Sequence, residues 1–195
     1  MGSLATENNF GFQANVLLRE RDLSACRDAE CPYYEINGSS PIYQSCPHGH
    51  DAGERSEQGR NQFLTIGIDA IISQIDGTLG SPSLKILFVA AGTSTTPNDD
   101  TTTGLYAEIF RSAPVESQRL GKVVDLYYKQ RQTNFFYGIR DANGTLSEFA
   151  LISGAASPYP AIDGIALARF LPSPAFDKTV TKTLSGQWVI TGGNP

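Results

Sequence analysis

"GKVVDLYYKQRQTNFFYGIRDANGTLSEFALIS", residues 121–153, decides how this chain is read. Its apolar runs, "KVVDLYY", "NFFYGIR" and "SEFALIS", are too short for stable helices, and they are rich in the β-branched and aromatic residues that suit a pleated surface. The Asn143-Gly144 step tolerates the positive φ values that a tight hairpin turn requires. The stretch therefore predicts three successive, hairpin-linked antiparallel strands with a turn at Asn143-Gly144.

The same rhythm extends in both directions. Segments 83–94, 104–112, 165–172 and 186–193 read as further strands, and within the opening stretch the strands run over 121–130, 133–141 and 146–156. Residues 10–19 add another, because Phe10, Phe12, Ala14, Val16 and Leu18 share a period-two face. Seven or eight antiparallel strands in one small domain predict an all-β fold over residues 1–195. The expected architecture is a single-domain eight-stranded antiparallel barrel, calycin- or dirigent-like, with a sandwich as the other solution.

Two stretches interrupt the pattern. Residues 24–60 carry Pro, Gly, Ser and charge with no periodic apolar signal, and read as a long irregular insertion. In residues 61–77, Leu64, Ile68, Ile71, Ile72 and Ile75 fit a helical stripe, while Leu64, Ile66, Ile68, Ala70 and Ile72 fit a strand face. The β-branched content favours the strand. Residues 93–103, "TSTTPNDDTTT", form a polar loop.

A chain of 195 residues is long enough for one sizeable core. Fifteen basic against twenty acidic residues give a net charge of -5, and no basic field exists to drive binding to a nucleic-acid backbone. No window approaches the length of an apolar membrane span. The N-terminus has neither a basic start nor an apolar run, so the chain reads as soluble. Its address, cytoplasmic or secreted, stays open, since Asn37-Gly38-Ser39 and Asn143-Gly144-Thr145 would serve as glycosylation sequons in an exported protein. The composition also leaves homo-oligomerisation open.

Within "SCPHGHD", residues 45–51, Cys46, His48 and His50 stand together and, with Cys26 and Cys31, number enough soft ligands for tetrahedral zinc, with Asp51 as a spare oxygen donor. The spacing lacks the matched pairs of zinc ribbons and knuckles, and a disulfide from Cys46 to one of the other cysteines is an equal alternative. The expectation is a surface loop with no catalytic metal. No nucleotide-binding or hydrolase signature is present, and no cofactor is expected.

Ionisable residues that interrupt apolar strands offer a different chemistry. By period two, Asp125 shares a face with Val123 and Tyr127, Glu108 with Tyr106 and Phe110, and Arg169 with Ile165 and Leu167. If those faces line a lumen, Asp125, Arg169 and Glu108 are the candidate catalytic residues, because a charge among aromatics has a perturbed pKa and can protonate or steady an apolar substrate. Arg169, Tyr127 and Tyr137 are candidate partners for Asp125. Tyr106, Tyr127, Phe136, Tyr137 and Trp188 would line the substrate pocket, with hydroxyl handles on the tyrosines.

Three elements, "GLY" within 104–112, "NGTLSEFALISG" and "IDGIALARF", resemble the dirigent and allene oxide cyclase-like barrels over residues 104–172. The resemblance implies an eight-stranded antiparallel barrel whose lumen shapes a reactive small molecule, often without a cofactor. The cysteine-containing insertion departs from that pattern. Two functions follow as expectations: a cofactor-independent cyclase or isomerase acting on a hydrophobic, secondary-metabolite-like molecule, and a non-catalytic lipocalin-like carrier of such a molecule.

Overall fold

The computed structural model describes residues 11–22, 54–77, 84–120, 128–154, 158, 160 and 163–193. Its strands are β1 (Gly11–Asp22), β2 (Glu54–Phe63), β3 (Ile86–Gly92), β4 (Glu108–Ser112), β5 (Glu116–Leu120), β6 (Tyr128–Tyr137), β7 (Gly144–Leu146), β8 (Glu148–Ser153), β9 (Ile165–Phe170), β10 (Phe176–Lys178) and β11 (Lys182–Gly193). One helix, α1 (Thr65–Ile75), follows β2. All pairings are antiparallel, and the expected all-β class holds.

The main sheet has the order β4-β3-β8-β9-β2-β1-β11-β6-β5, and β7 pairs with β10 in a small second sheet. Among the described residues a closed ladder of eight strands is not found: their hydrogen-bonded order is open and holds nine. Its two end strands are nevertheless consecutive in the chain, separated by Ala113, Pro114 and Val115. Proline cannot donate to a ladder, and pairing to β3 stops at Ser112 while pairing to β6 starts at Glu116. Phe110 of β4 meets Tyr137 of β6, the strand next to the other end of the order, edge-on at 5.2 Å.

The expected meander over 121–153 is corrected. Residues 121–127 of the expected first strand lie outside the described residues, and residues 128–137 run as the single strand β6 through the expected break between 130 and 133. β6 pairs with β11 and β5, and β8 pairs with β3 and β9, so the two are not neighbours. The link between β6 and β7 is not an Asn-Gly hairpin either. Positive φ falls on Ala142 and Gly144, and the turn is closed by Asp141, whose Oδ2 accepts from Gly138 N at 2.9 Å. Lys178, from a distant strand, donates to Gly138 O and Asn143 Oδ1. A tertiary contact thus overrides the local turn preference.

Two other readings change. The final residues of the supposed irregular insertion form β2. Its inward positions hide their role, because Gly59 leaves room for the Phe170 ring, which a side chain at 59 would strike, and the Arg55 guanidinium lies 4.0 Å over the ring of Phe176. A strand that presents Arg55, Glu57 and Gly59 inward before reaching Phe63 shows no hydrophobic alternation over most of its length. Residues 65–75 are helix, not strand. α1 meets the sheet through its small residues Gly67 and Ala70, and a Cβ at Gly67 would collide with the backbone of Leu167. Ile68, Ile72 and Ile75 are exposed, so of the isoleucines that suggested a strand face only Ile66 packs against the sheet.

The core has two layers, one on each face of the sheet. On the inner face lie Val16, Leu18, Val89, Phe135, Tyr137, Phe149, Leu151, Phe170, Phe176, Leu184 and Trp188. On the other face, Leu64, Ala90, Ala150, Ile152 and Ala166 pack with Ile66, Phe88 and Leu105 beneath α1 and the 93–107 loop. The alternation of β8 carries both: Phe149 and Leu151 point inward, Ala150 and Ile152 outward.

Candidate functional site

The ionisable residues singled out from the sequence belong to the outer layer. Arg169 stands in register with Ala150, and Glu108 with Gly92, which is also opposite Glu148. Cross-strand partners share a face, so these side chains lie on the side of α1 and away from the aromatic core. The expected face of Arg169, with Ile165 and Leu167, is broken because Leu167 is skipped in the β8–β9 register.

Arg169 and Glu148 form a fully buried ion pair. Arg169 Nε and Nη2 donate to Glu148 Oε2 at 2.9 and 2.6 Å. Glu148 also accepts from the backbone N–H groups of Ser94, Tyr106 and Ala107, at 3.4, 3.1 and 2.8 Å. Arg169 Nη1 donates to Thr96 O and Asn98 Oδ1 at 2.8 and 2.6 Å, and the guanidinium lies 4.9 Å from the Tyr106 ring centroid. Every one of these contacts ends on the 93–107 loop. The pair therefore pins both ends and the middle of a loop too polar to hold itself by burial. Asp99 fixes the loop's tip: the Thr101 hydroxyl and N–H, with help from Thr102, hold its carboxyl below the usual range.

Glu108 is likewise engaged. Its two oxygens accept from Arg111 Nε and Nη2 at 2.5 and 2.8 Å, and Arg111 Nη1 reaches the backbone and side chain of Asp163. Charges buried with this many partners are satisfied groups, whose removal exposes others. Asp125 and Tyr127 lie outside the described residues. So do Cys26, Cys31, Cys46, His48, His50 and Asp51; among the described residues, no group of three His, Cys, Asp or Glu side chains is placed to hold a metal.

The aromatic candidates divide between the faces. Tyr137 and Trp188 are fully buried on the inner face. The Tyr137 hydroxyl donates to Val89 O at 3.0 Å, and burial, reinforced by Glu108 and Asp141, pushes its pKa well above the usual value. Phe136 alternates with Phe135 and Tyr137 and so faces outward, half-buried, opposite Ser185. Tyr106 is on the exposed loop, its hydroxyl 3.0 Å from Thr102 Oγ1.

What remains on the inner face is a nearly continuous apolar surface. Phe135, Tyr137, Phe149 and Phe176 are linked by ring contacts of 5.1 to 6.5 Å. Trp188 lies between Val16 and Thr133 in the register of β1, β11 and β6. At one end of this face, Glu20 pairs with Lys182 at 3.1 Å, and Arg55 donates to Pro174 O and Ala175 O, fastening the segment that brings Phe176 into the core. Two inner hydroxyls, Thr133 Oγ1 and Ser112 Oγ, are buried without a hydrogen-bond partner. Neither Glu148 nor Thr133 was singled out from sequence. Glu148 carried the same signal as Glu108, a charge inside the apolar run "EFALIS", whereas a threonine in a polar stretch carries none.

Fold and face together define an all-β protein with an apolar inner surface and a separate, charge-fastened outer layer. The chain matches no family model, no curated protein and no solved structure. Among the described residues no helix is long and apolar enough to cross a membrane.

Proposed function

We propose that this protein is a carrier that holds a hydrophobic small molecule against the inner face of its sheet. The observation that supports this reading is the separation of chemistries. The inner face between Phe149 and Trp188 is apolar and aromatic, while Glu108 and Arg169 stand on the opposite face in closed ion pairs. Among the described residues, the stretch of this face between Phe149 and Trp188 offers side chains that can bind and orient an apolar molecule but no acid or base to move a proton. The fold reading that goes with it is a barrel. If β4 and β5 are two halves of one stave bent at Pro114, the nine-strand order becomes eight staves round a lumen, as in small ligand-holding barrels.

The second reading is a cofactor-independent cyclase or isomerase, supported by the resemblance of residues 104–172 to the dirigent and allene oxide cyclase-like barrels. Trp188, the chain's one tryptophan, gives a direct test of both. Titration of apolar ligands such as long-chain ketones should change its emission saturably, with the ligand recovered unchanged by mass spectrometry. Saturable binding with conversion supports the enzyme; no response from Trp188 to any apolar ligand refutes both.

A further inference from the structure

Thr133 is fully buried, and its Oγ1 has no hydrogen-bond partner. Its cross-strand neighbours are Trp188 on β11, beyond which Val16 lies in register, and Ser117 on β5, so the hydroxyl stands beside the indole on the inner face. A buried hydroxyl without a partner forfeits its hydrogen bond to water and is uncommon in a native core. The other orphaned hydroxyl on this face, Ser112 Oγ, belongs to a half-buried residue at the end of β4, next to the Pro114 bend. Thr133 lies mid-strand, where no loop residue of its own strand can reach it.

We infer that Thr133 is the polar contact of the ligand site, and that it selects an apolar molecule carrying one uncharged oxygen, such as a ketone, aldehyde or ether. This rests on the carrier reading and specifies its ligand. A threonine hydroxyl donates to such an oxygen. It cannot compensate a buried carboxylate, and neither Trp188 nor Val16 supplies a countercharge. The nearest cation on the same face of β6, Arg131, is one level further along, half-buried and already engaged.

The test compares three probes of equal chain length, undecane, undecan-2-one and undecanoate, by quenching or shift of Trp188 emission, in the native protein and in Thr133→Val. The valine keeps the shape and removes the hydroxyl. The native protein should bind the ketone at least as tightly as the alkane, because the Thr133 hydroxyl offsets the carbonyl's lost hydrogen bonds to water. Thr133→Val should lose roughly five- to a hundred-fold in ketone affinity, the range spanned by leaving one buried acceptor without a donor, with its alkane affinity unchanged. Thermal unfolding of Thr133→Val at or above the native midpoint shows that the variant folds. A ketone affinity unchanged in Thr133→Val, weaker binding of the ketone than of the alkane by the native protein, or tighter binding of undecanoate overturns the assignment while leaving the carrier reading standing. Failure of all three probes to bind the native protein removes both. Should the valine variant not fold, Thr133→Ser, which keeps the hydroxyl, must preserve the ketone affinity, and its loss there overturns the assignment.

Discussion

Glu148→Gln is the sharpest probe of the outer layer, because the substitution keeps the size and shape of the side chain. All five groups that face the Glu148 carboxylate are donors. Ser94 N and Ala107 N point at Oε1; Tyr106 N and Arg169 Nε and Nη2 point at Oε2. A glutamine has one acceptor oxygen. Turned either way, its amide NH2 confronts donors, and either the loop N–H groups or the guanidinium lose their acceptor. Arg169, fully buried, also loses its counter-charge. Breaking one member of such a pair costs about 3–5 kcal/mol, of which each stranded donor accounts for roughly 1–3. In a protein of this size that lowers the melting midpoint by about 6–20 °C. Urea unfolding of Glu148→Gln, Arg169→Met and the double variant should show large single costs and a double cost well below their sum, since the second change removes a partner already lost. Hydrogen exchange should quicken at Ser94, Tyr106 and Ala107 before it does elsewhere. A Glu148→Gln variant within about 1 kcal/mol of the native protein would refute this account of the pair, because the neutral hydrogen bonds alone would then suffice.

Two further outcomes test the packing and the buried amine. Gly67→Ala should destabilise the protein by about 1–3 kcal/mol despite the roughly 1 kcal/mol gain in helix propensity, because the new methyl meets the Leu167 backbone; equilibrium unfolding gives the sign, and a stabilised variant would show that α1 can shift. Burial holds the Lys178 ammonium down to about 8 from its usual 10.5, against the opposing pull of Asp141 and Glu20. Between those values the unfolded chain keeps the proton and the folded chain releases it, so folded stability rises with pH across that window. The stability difference between the native protein and Lys178→Met should therefore move in favour of the native protein from pH 7 to 10, and a difference that stays flat or moves the other way would contradict the buried placement.

Strand existence was legible wherever apolar side chains alternate, in β1, β3, β8, β9 and β11. It failed where the inner face is built without them. β2 presents Arg55, Glu57 and Gly59 inward ahead of Phe63, its one aromatic residue on the inner core, with rings from other strands filling the space, so most of the sequence of β2 contains no record of its burial. The helix failed for the converse reason: α1 packs most closely through Gly67 and Ala70 and leaves Ile68, Ile72 and Ile75 exposed, which blurs the usual amphipathic signal. At the candidate site, the charges inside strands were visible but not their face, because faces are counted by two and the omission of Leu167 from the β9 register shifts the count. An orphaned hydroxyl such as Thr133 is defined wholly by what surrounds it, and only the assembled sheet supplies the surroundings.

The sheet order also has a consequence for how the protein comes into being. β11, made after every other strand, is placed between β1 and β6, and the earliest described strand pairs along its whole length with it, Gly11 opposite Gly193 and Asp22 opposite Lys182. On the ribosome, β1 can find β2 but has its other edge open, and β6 can find β5 but nothing on its far side, until residues 182–193 have emerged. The inner apolar face cannot close over before then. Such long-range pairing places folding toward the slow end of the range for small domains and leaves exposed strand edges in the interval. The protein's most hazardous period is thus its own synthesis, and a chain halted shortly before residue 182 would present two half-sheets with no strand to join them.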